Sequence, residues 1–270
     1  MLTSDDPIFE EDFAALYDSY AEKIYNLAYR MTGNHQDSED VTQETFIQVY
    51  QHIGQFRGES QLYTWIYAIT KNLCYRLLKQ KKKSSFSSME RLVHSVQSEA
   101  SPDVFSDREK RILQNQVKEG CFTGLLRCLS FYQRMAFILH VLLRLSIRDV
   151  SHILEKSEGS TKVLIHRARK NLKAFLCKNC SLYSPGNPCR CENLIHFSLA
   201  QDWIQKPIGH PREKAYLVAP EFIQSEIQEM RRVTTLYQSL IEQTPSDDFA
   251  RRMRNMIQTN ESILFSRQKV

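Results

Sequence analysis

Four of the seven cysteines fall within fifteen residues, in the order Cys177-x2-Cys180-x8-Cys189-x-Cys191. Thiolates paired at such short spacings can complete a tetrahedral zinc site, with His196 as a spare candidate ligand. Pro185, Gly186, Asn187 and Pro188 lie between the two pairs and favour a turn that brings one toward the other. A redox thiol switch is the alternative chemistry for the same residues, whereas two stable disulfides would need an oxidising compartment. A metalloenzyme is the weakest reading, because four protein thiolates leave no open coordination position. Cys74, Cys121 and Cys128 are scattered through apolar-periodic segments and read as small core residues.

Charge is as unevenly placed as sulfur. The net charge is only +5, yet the first 44 residues set eleven carboxylates against Lys23 and Arg30. Lys71, Arg76, Lys79, Lys81, Lys82 and Lys83 then form a run without acids, and Lys162, Arg167, Arg169, Lys170, Lys173 and Lys178 form another. Two basic patches on either side of a linker fit a polyanion touched at two places. Two ordinary solvated helix faces are the plain alternative.

The elements that position these groups are helices. Eight glycines and eight prolines in 270 residues are about half the usual share of roughly 12%. No stretch reaches the ~18 apolar residues of a membrane span, and Asp5, Asp6 and Glu10 stand where a signal peptide would be basic and then apolar, so a cytoplasmic protein is expected. Phe13, Leu16, Tyr17, Tyr20, Ile24, Leu27, Ala28 and Met31 repeat every three or four residues on a helix that stops at Gly33. Ser38 is placed to cap a second helix, with Val41, Phe46, Val49, Tyr50 and Ile53 inward and Asp37, Glu39, Asp40, Gln43 and Glu44 on the other face. A third runs from about Ser60 to Lys79, with Leu62, Trp65, Ile66, Ile69, Leu73 and Leu77 inward. Serine-rich sequence then suggests a linker, with a short helix near 107–117. Farther on, Ser146 can cap a short helix to Leu154, and a second helix follows to Leu176. This is a helix-turn-helix layout whose second member sets Thr161, Ile165, Ala168, Leu172 and Phe175 on one stripe and turns Lys162, His166, Arg167, Arg169 and Lys170 outward. Residues 220–243 and 246–266 read as two further helices whose apolar stripes need a partner surface.

At these residues the chain resembles the extracytoplasmic-function sigma factors of bacteria. Gly159-Ser160-Thr161-Lys162 with His166-Arg167-Ala168-Arg169-Lys170-Asn171-Leu172 is similar to their region 4.2. Gln36 to Phe46, reading QDSEDVTQETF, resembles region 2.2, and Phe56-Arg57-Gly58-Glu59-Ser60, Thr64-Trp65-Ile66-Tyr67 and Lys71-Asn72-Leu73 resemble regions 2.3 and 2.4. The two signatures stand in the family's order. There are departures: Glu155 replaces the usual turn glycine, at a cost of ~1 kcal/mol if that residue is left-handed. Leu164 replaces a usual arginine.

The resemblance implies an all-α, non-enzymatic protein with sigma region 2 over 9–83, a flexible linker over 84–117, sigma region 4 over 118–176 and a Cys-rich, helical extension over 177–270. It implies that Asp37, Glu39, Asp40, Gln43 and Glu44 dock on the β′ coiled coil of core RNA polymerase, with the β flap as a further contact. Phe56, Arg57, Tyr63, Trp65, Lys71, Asn72, Arg76 and Lys79 would then engage the minus-ten element, where a flipped base needs a stacking pocket. For Trp65 itself the apolar stripe favours core packing. Ser160, Thr161, Lys162, His166, Arg167, Arg169 and Lys170 would read the minus-thirty-five element. The expected partners are core polymerase, promoter DNA and an anti-sigma factor, with no membrane. Cys177, Cys180, Cys189 and Cys191 are the expected zinc ligands, in an extension that regulates the factor. A metal- or redox-sensing helix-turn-helix regulator that never joins polymerase is the competing function, and the acidic region is what it leaves unexplained.

Overall fold

A computed structural model of the chain describes residues 7–56, 58, 60–81, 84–96, 105–206, 233–238 and 243–259, without side-chain detail for 7–12, 258 and 259. Arg57, Lys82, Lys83, most of the helix expected over 220–243 and everything beyond residue 259 lie outside them. The described residues are helical, with one isolated bridge between Cys180 and Cys189. Two compact units emerge: residues 1–81, 138–161 and 242–270 form the first, and 82–137 and 162–241 the second.

In the first unit, α1 (Pro7–Thr32) and α2 (His35–His52) pack through the aromatic stripe predicted from their spacing. Phe13 meets Tyr50 edge-on at 5.1 Å, and Tyr17 meets Phe46 at 4.8 Å. Gly33, at φ 68°, ends α1 in the left-handed region that costs glycine nothing. The cap of α2 is Asn34, not Ser38. The Asn34 side chain accepts from the Asp37 amide at 2.9 Å, while Ser38 lies one turn inside the helix, fully buried, and donates back to the Asn34 carbonyl at 2.5 Å. The helix thus carries Asp37, the first residue of its acidic face, in its first turn.

A 3₁₀ turn (Ile53–Gln55) leads toward α3 (Leu62–Lys79). Its buried stripe is rotated from the expected one: Thr64, Ile66, Tyr67, Thr70, Lys71, Leu73 and Cys74 face inward, and Leu62, Trp65, Ile69 and Leu77 sit at the half-buried margin. Threonines are admitted because they bond within the stack. Thr70 Oγ1 donates to the Ile66 carbonyl at 2.9 Å and lies 3.4 Å from Thr45 Oγ1.

Two short elements complete this unit. In α7 (Ile147–Leu154), Ser146 accepts from the Asp149 amide at 3.1 Å as the N-cap, and Val150, Ile153 and Leu154 are buried. Near the C-terminus, α11 (Asp247–Thr259) buries Phe249, Met253 and Ile257.

The second unit corrects the linker. Residues 84–117 carry α4 (Phe86–Val96) and the start of α5 (Asp107–Cys128), which opens on a capping box between Ser106 and Glu109. The serine cluster at 84–88 hid α4, although Phe86, Met89, Val93 and Val96 keep helical spacing and Val93 and Val96 are buried. Next come α6 (Phe131–Phe137), running into a π turn over 138–142, then most of α8 (Glu158–Asn179) and α9 (Ile195–Ala200). Residues 233–238 form a helical turn, α10, joined to the unit through Tyr237. That ring stacks on Phe122 at 5.0 Å and meets Phe137 edge-on at 5.1 Å, and its hydroxyl donates to the Phe122 carbonyl at 3.2 Å. Tyr237 of the extension is therefore part of the unit's core. None of the described helices is long and apolar enough to cross a membrane.

Candidate polymerase and nucleic-acid interfaces

On α2 the expected acidic face exists as a surface, with Asp40 exposed and Asp37, Glu39, Gln43 and Glu44 half-buried. Most of these groups are already engaged. Asp37 pairs with Lys81, Glu44 accepts from Gln48 at 2.8 Å, and Glu39 accepts from both the hydroxyl and the amide of Ser246, at 2.8 and 3.3 Å. The Gln43 amide approaches Met256 Sδ at 4.0 Å.

On α3 the expected minus-ten residues divide. Phe56 and Trp65 lie 5.5 Å apart at 41°, both half-buried, so they form an aromatic corner that keeps part of its surface free. Trp65 is not the core residue its stripe suggested. Gly58 follows at φ 71°, the other left-handed glycine among those described. Asn72, Arg76 and Lys79 are exposed along the same helix. Tyr63 and Lys71 are instead turned toward α7. Desolvation, and then the hydrogen bond its hydroxyl donates to Asp149, raise the Tyr63 phenol pKa.

Lys71, expected to hold a phosphate, is engaged within the first unit. It is buried, and its ammonium sits 2.5 Å from Glu155, whose carboxyl is held below its ordinary range by that hydrogen bond. Glu155 ends α7 at φ 54° and ψ 47°, the left-handed conformation that the turn requires. Nothing near Lys71 in the sequence signals this partner 84 residues away.

The exposed face of α8 carries Ser160, Lys162, His166, Arg167 and Lys170. Thr161 is a correction: it is wholly buried, and its hydroxyl donates to the Ser157 carbonyl at 3.0 Å. Arg169 is half-buried, and burial lowers its pKa. Val163 is unusually exposed for an apolar residue at 47% and lies between the cations, where a thymine methyl can be met.

The turn within the cysteine segment forms as its prolines suggested. Cys180 and Cys189 are bridged through Ser181 N to Cys189 O and Cys189 N to Asn179 O, both 3.0 Å. Asn187 clamps the end of α8 by donating to the carbonyls of Cys177 at 2.8 Å and Cys180 at 3.1 Å. Cys177 itself is exposed, and His196 packs on Phe105 at 5.4 Å. The neighbour of the buried thiols is Cys121 of α5. Burial pushes its thiol well up, and the thiols of Cys180, Cys191 and Cys189 push it further. Cys191, in the 3₁₀ turn Cys191–Leu194 that lies against α5, is raised to about 12 by burial and then by Cys180 and Cys189. Among the described residues, no three His, Cys, Asp or Glu side chains stand in metal-binding arrangement.

Comparison with known proteins fits this layout. Sigma-70 region 2 matches residues 16–84, and Sigma-70, region 4 matches residues 119–172. SigW, an ECF RNA polymerase sigma factor of Bacillus subtilis, is 31% identical over 170 residues, covering 62% of this chain and 90% of SigW. SigE of Mycolicibacterium smegmatis is 28% identical over 60% of each chain. YlaC, a sigma factor of Bacillus subtilis, is 26% identical over 61% of this chain and 91% of its own. Among solved structures, the sigma factor RpoE of Bartonella quintana, crystallised with the anti-sigma factor NepR, is 21% identical with a TM-score of 0.43, covering 62% of this chain and 98% of that one. With both sigma regions present in order and nine-tenths of SigW spanned, the chain belongs to the ECF RNA polymerase sigma factors, which bind core polymerase, direct it to promoters and open the DNA to start transcription.

Proposed function

We propose that the sigma activity is divided among three surfaces of this chain. Asp37, Glu39, Asp40, Gln43 and Glu44 of α2 take the β′ coiled coil of core polymerase. The Phe56–Trp65 corner takes an unstacked base of the minus-ten element, supported by Asn72, Arg76 and Lys79, and Tyr63 joins it only by leaving Asp149. Stacking of one base on such an aromatic is worth ~1–3 kcal/mol and tolerates any base, so the corner holds the strand while edge contacts select. Ser160, Lys162, His166, Arg167 and Lys170 of α8 lie in the major groove of the minus-thirty-five element, with Arg167 on a guanine edge and Lys170 on phosphate. The exposed cationic face of α8 is the observation that carries the reading, because Lys162, Arg167 and Lys170 stand together in solvent with no acid among residues 160–178, as contact with a phosphate backbone requires.

The protein makes and breaks no covalent bond in this role, since polymerase does the chemistry, and it works in the cytoplasm, where core polymerase is. The β flap and an anti-sigma factor are its further partners. Run-off transcription tests the reading: core polymerase supplied with this chain initiates from its promoter, and a chain that leaves core enzyme inactive is a regulator that does not join polymerase.

The thiols support a second, regulatory reading. We infer that Cys180, Cys189 and Cys191 hold a zinc ion with Cys121 of α5, against which the Cys191–Leu194 turn lies, as the fourth ligand in place of the exposed Cys177. The metal would tie the cysteine turn to α5. Zinc content tests it: C177S keeps one zinc per chain and C121S loses it, and loss in both or in neither refutes the ligand set.

A further inference from the structure

We propose that α11 is a built-in competitor for the polymerase-facing surface of α2, so that the free factor is held back until its own C-terminal helix is displaced. The proposal rests on the assignment of that surface to polymerase made above.

The seat of α11 uses the side chains a partner would use. Ser246 caps α11, accepting from the Phe249 amide at 3.2 Å, and the same hydroxyl donates to Glu39 at 2.8 Å. The Glu39 carboxylate thereby lies at the positive end of the α11 dipole, a place that favours an anion. One turn along α2, Gln43 meets Met256. The approach to the helix is fixed as well: the Gln243 amide donates to the buried Asn26 at 2.5 Å, whose own amide group is bound to the Glu22 carbonyl at 2.9 Å. Farther along α1, the Arg254 guanidinium lies 3.3 Å from Asp18. Phe249, Met253 and Ile257 are buried on the facing side of α11.

This arrangement is more than a tail finding somewhere to lie. Three buried apolar side chains at i, i+4 and i+8 give α11 a continuous stripe, which packs on α1, and the polar contacts flanking that stripe fall on Glu39 and Gln43 of the α2 face. Asp40 on the same face stays exposed, so a first contact with a partner remains open while α11 is seated. A partner that starts at Asp40 and extends to Glu39 and Gln43 must peel α11 away from its N-terminal cap. The apparent affinity of such a partner is reduced by the fraction of molecules with α11 out of the way.

Two measurements on the full-length chain decide the proposal. In the first, the double variant Phe249→Asp, Met253→Asp unseats α11 without touching α2. If α11 is seated in about nine molecules of ten or more, binding to core polymerase tightens about tenfold or more. Unchanged or weaker binding overturns the proposal. Asp40→Arg, made in both backgrounds, reports separately on the surface, because α11 leaves it uncovered. If it weakens binding in both, the polymerase assignment stands whatever α11 does. If it weakens neither, that assignment fails and the competitor fails with it. The second measurement needs no substitution: hydrogen exchange at the α11 amides speeds up when core polymerase is added to the wild-type chain. Exchange that slows or stays the same means that α11 remains seated in the complex, and the proposal is wrong.

Discussion

Replacing Glu155 separates two opposing forces at the end of α7. The residue is left-handed, which costs a non-glycine ~1 kcal/mol. It also neutralises Lys71, whose side chain is only 7% exposed, while the Glu155 carboxylate is 74% exposed. A pair wholly in water is worth ~0.2–1 kcal/mol, and stripping the partner from a fully buried charge costs ~3–5 kcal/mol. With one partner on each side of that divide, Glu155→Gln should destabilise the first unit by ~1–2 kcal/mol. Glu155→Gly loses the same pair but relieves the backbone, so it should fall within ~1 kcal/mol of wild type. In a Lys71→Met background the pair is already gone, and Glu155→Gly should then stabilise by ~1 kcal/mol. Urea unfolding read at Trp65 measures all of these once Trp203, which is 59% exposed, is replaced by phenylalanine. The pH dependence follows the carboxyl: its folded pKa lies below the ordinary value, so the contribution is full above about pH 4.3 and disappears as pH falls through the folded pKa. A coupling between positions 71 and 155 of less than ~0.3 kcal/mol at pH 7 would refute the ion pair. A glycine that fails to stabilise the Lys71→Met chain would refute the strain.

Other sites give shorter tests. The buried Tyr25 hydroxyl lies 2.7 Å from His35 Nδ1, and burial lowers the His35 pKa; protonating that nitrogen removes the acceptor. Stability from His35 is therefore present above pH ~6.5 and lost as pH falls through the folded pKa, and thermal melts of His35→Gln should lose that acid-side slope. Arg167→Ala should cost ~1–3 kcal/mol on the cognate minus-thirty-five duplex and relax one base position, whereas Lys170→Ala should weaken all sequences alike and reduce the salt slope by ~0.9, both read by titration at several salt concentrations. Tyr237→Ala removes a fully buried ring and its hydrogen bond and should destabilise the second unit by ~3–5 kcal/mol, measured by urea unfolding at Trp203.

The residues that sequence placed well are those whose signals are local. The α1 stripe and the Ser146 cap each follow from neighbours within one or two turns, whereas the left-handed Glu155 is signalled only by the glycine that the resembled family places there. Misplaced residues answered to distant partners. Lys71 reads as one more cation in a basic run because Glu155 is 84 residues away; Cys121 is buried as its apolar segment suggests, but its approach to Cys180, Cys189 and Cys191 is hidden because they come 59 residues or more later. Thr161 was ambiguous from the start, since it belongs both to the recognition motif and to the apolar stripe of α8, and burial decided for the stripe. For α11 the periodicity predicted a helix needing a partner, but no local feature of 247–259 names α1 and α2 as that partner. Asn34 outcompeted Ser38 for the cap because starting α2 one turn earlier lets Ser38 and Thr42 bond inside the helix pair and keeps the Asp37 amide satisfied.

The expected contact residues share a physical pattern. Lys71, Tyr63, Asp37, Glu39 and Gln43 were expected to meet polymerase or DNA, and each is satisfied within the chain, by Glu155, Asp149, Lys81, Ser246 and Met256. A charged or polar group used by a partner must be hydrated, paired or bonded when the partner is absent, and a chain that pairs it internally avoids burying it unsatisfied. The internal contacts here are mostly solvent-edged, so each is worth ~1 kcal/mol or less, with Lys71 the exception. Such contacts can be exchanged one at a time for polymerase or DNA contacts of similar kind, with no large barrier from any single one. What they change is occupancy. A few of them acting together are enough to make the open, binding-competent form a minor population, and binding then draws on that population. On this argument Lys71 becomes available to a phosphate only when Glu155 leaves it, so a minus-ten oligonucleotide should bind Glu155→Gln more tightly than wild type, and the steeper salt slope of that variant, by ~0.7, would mark the added phosphate contact.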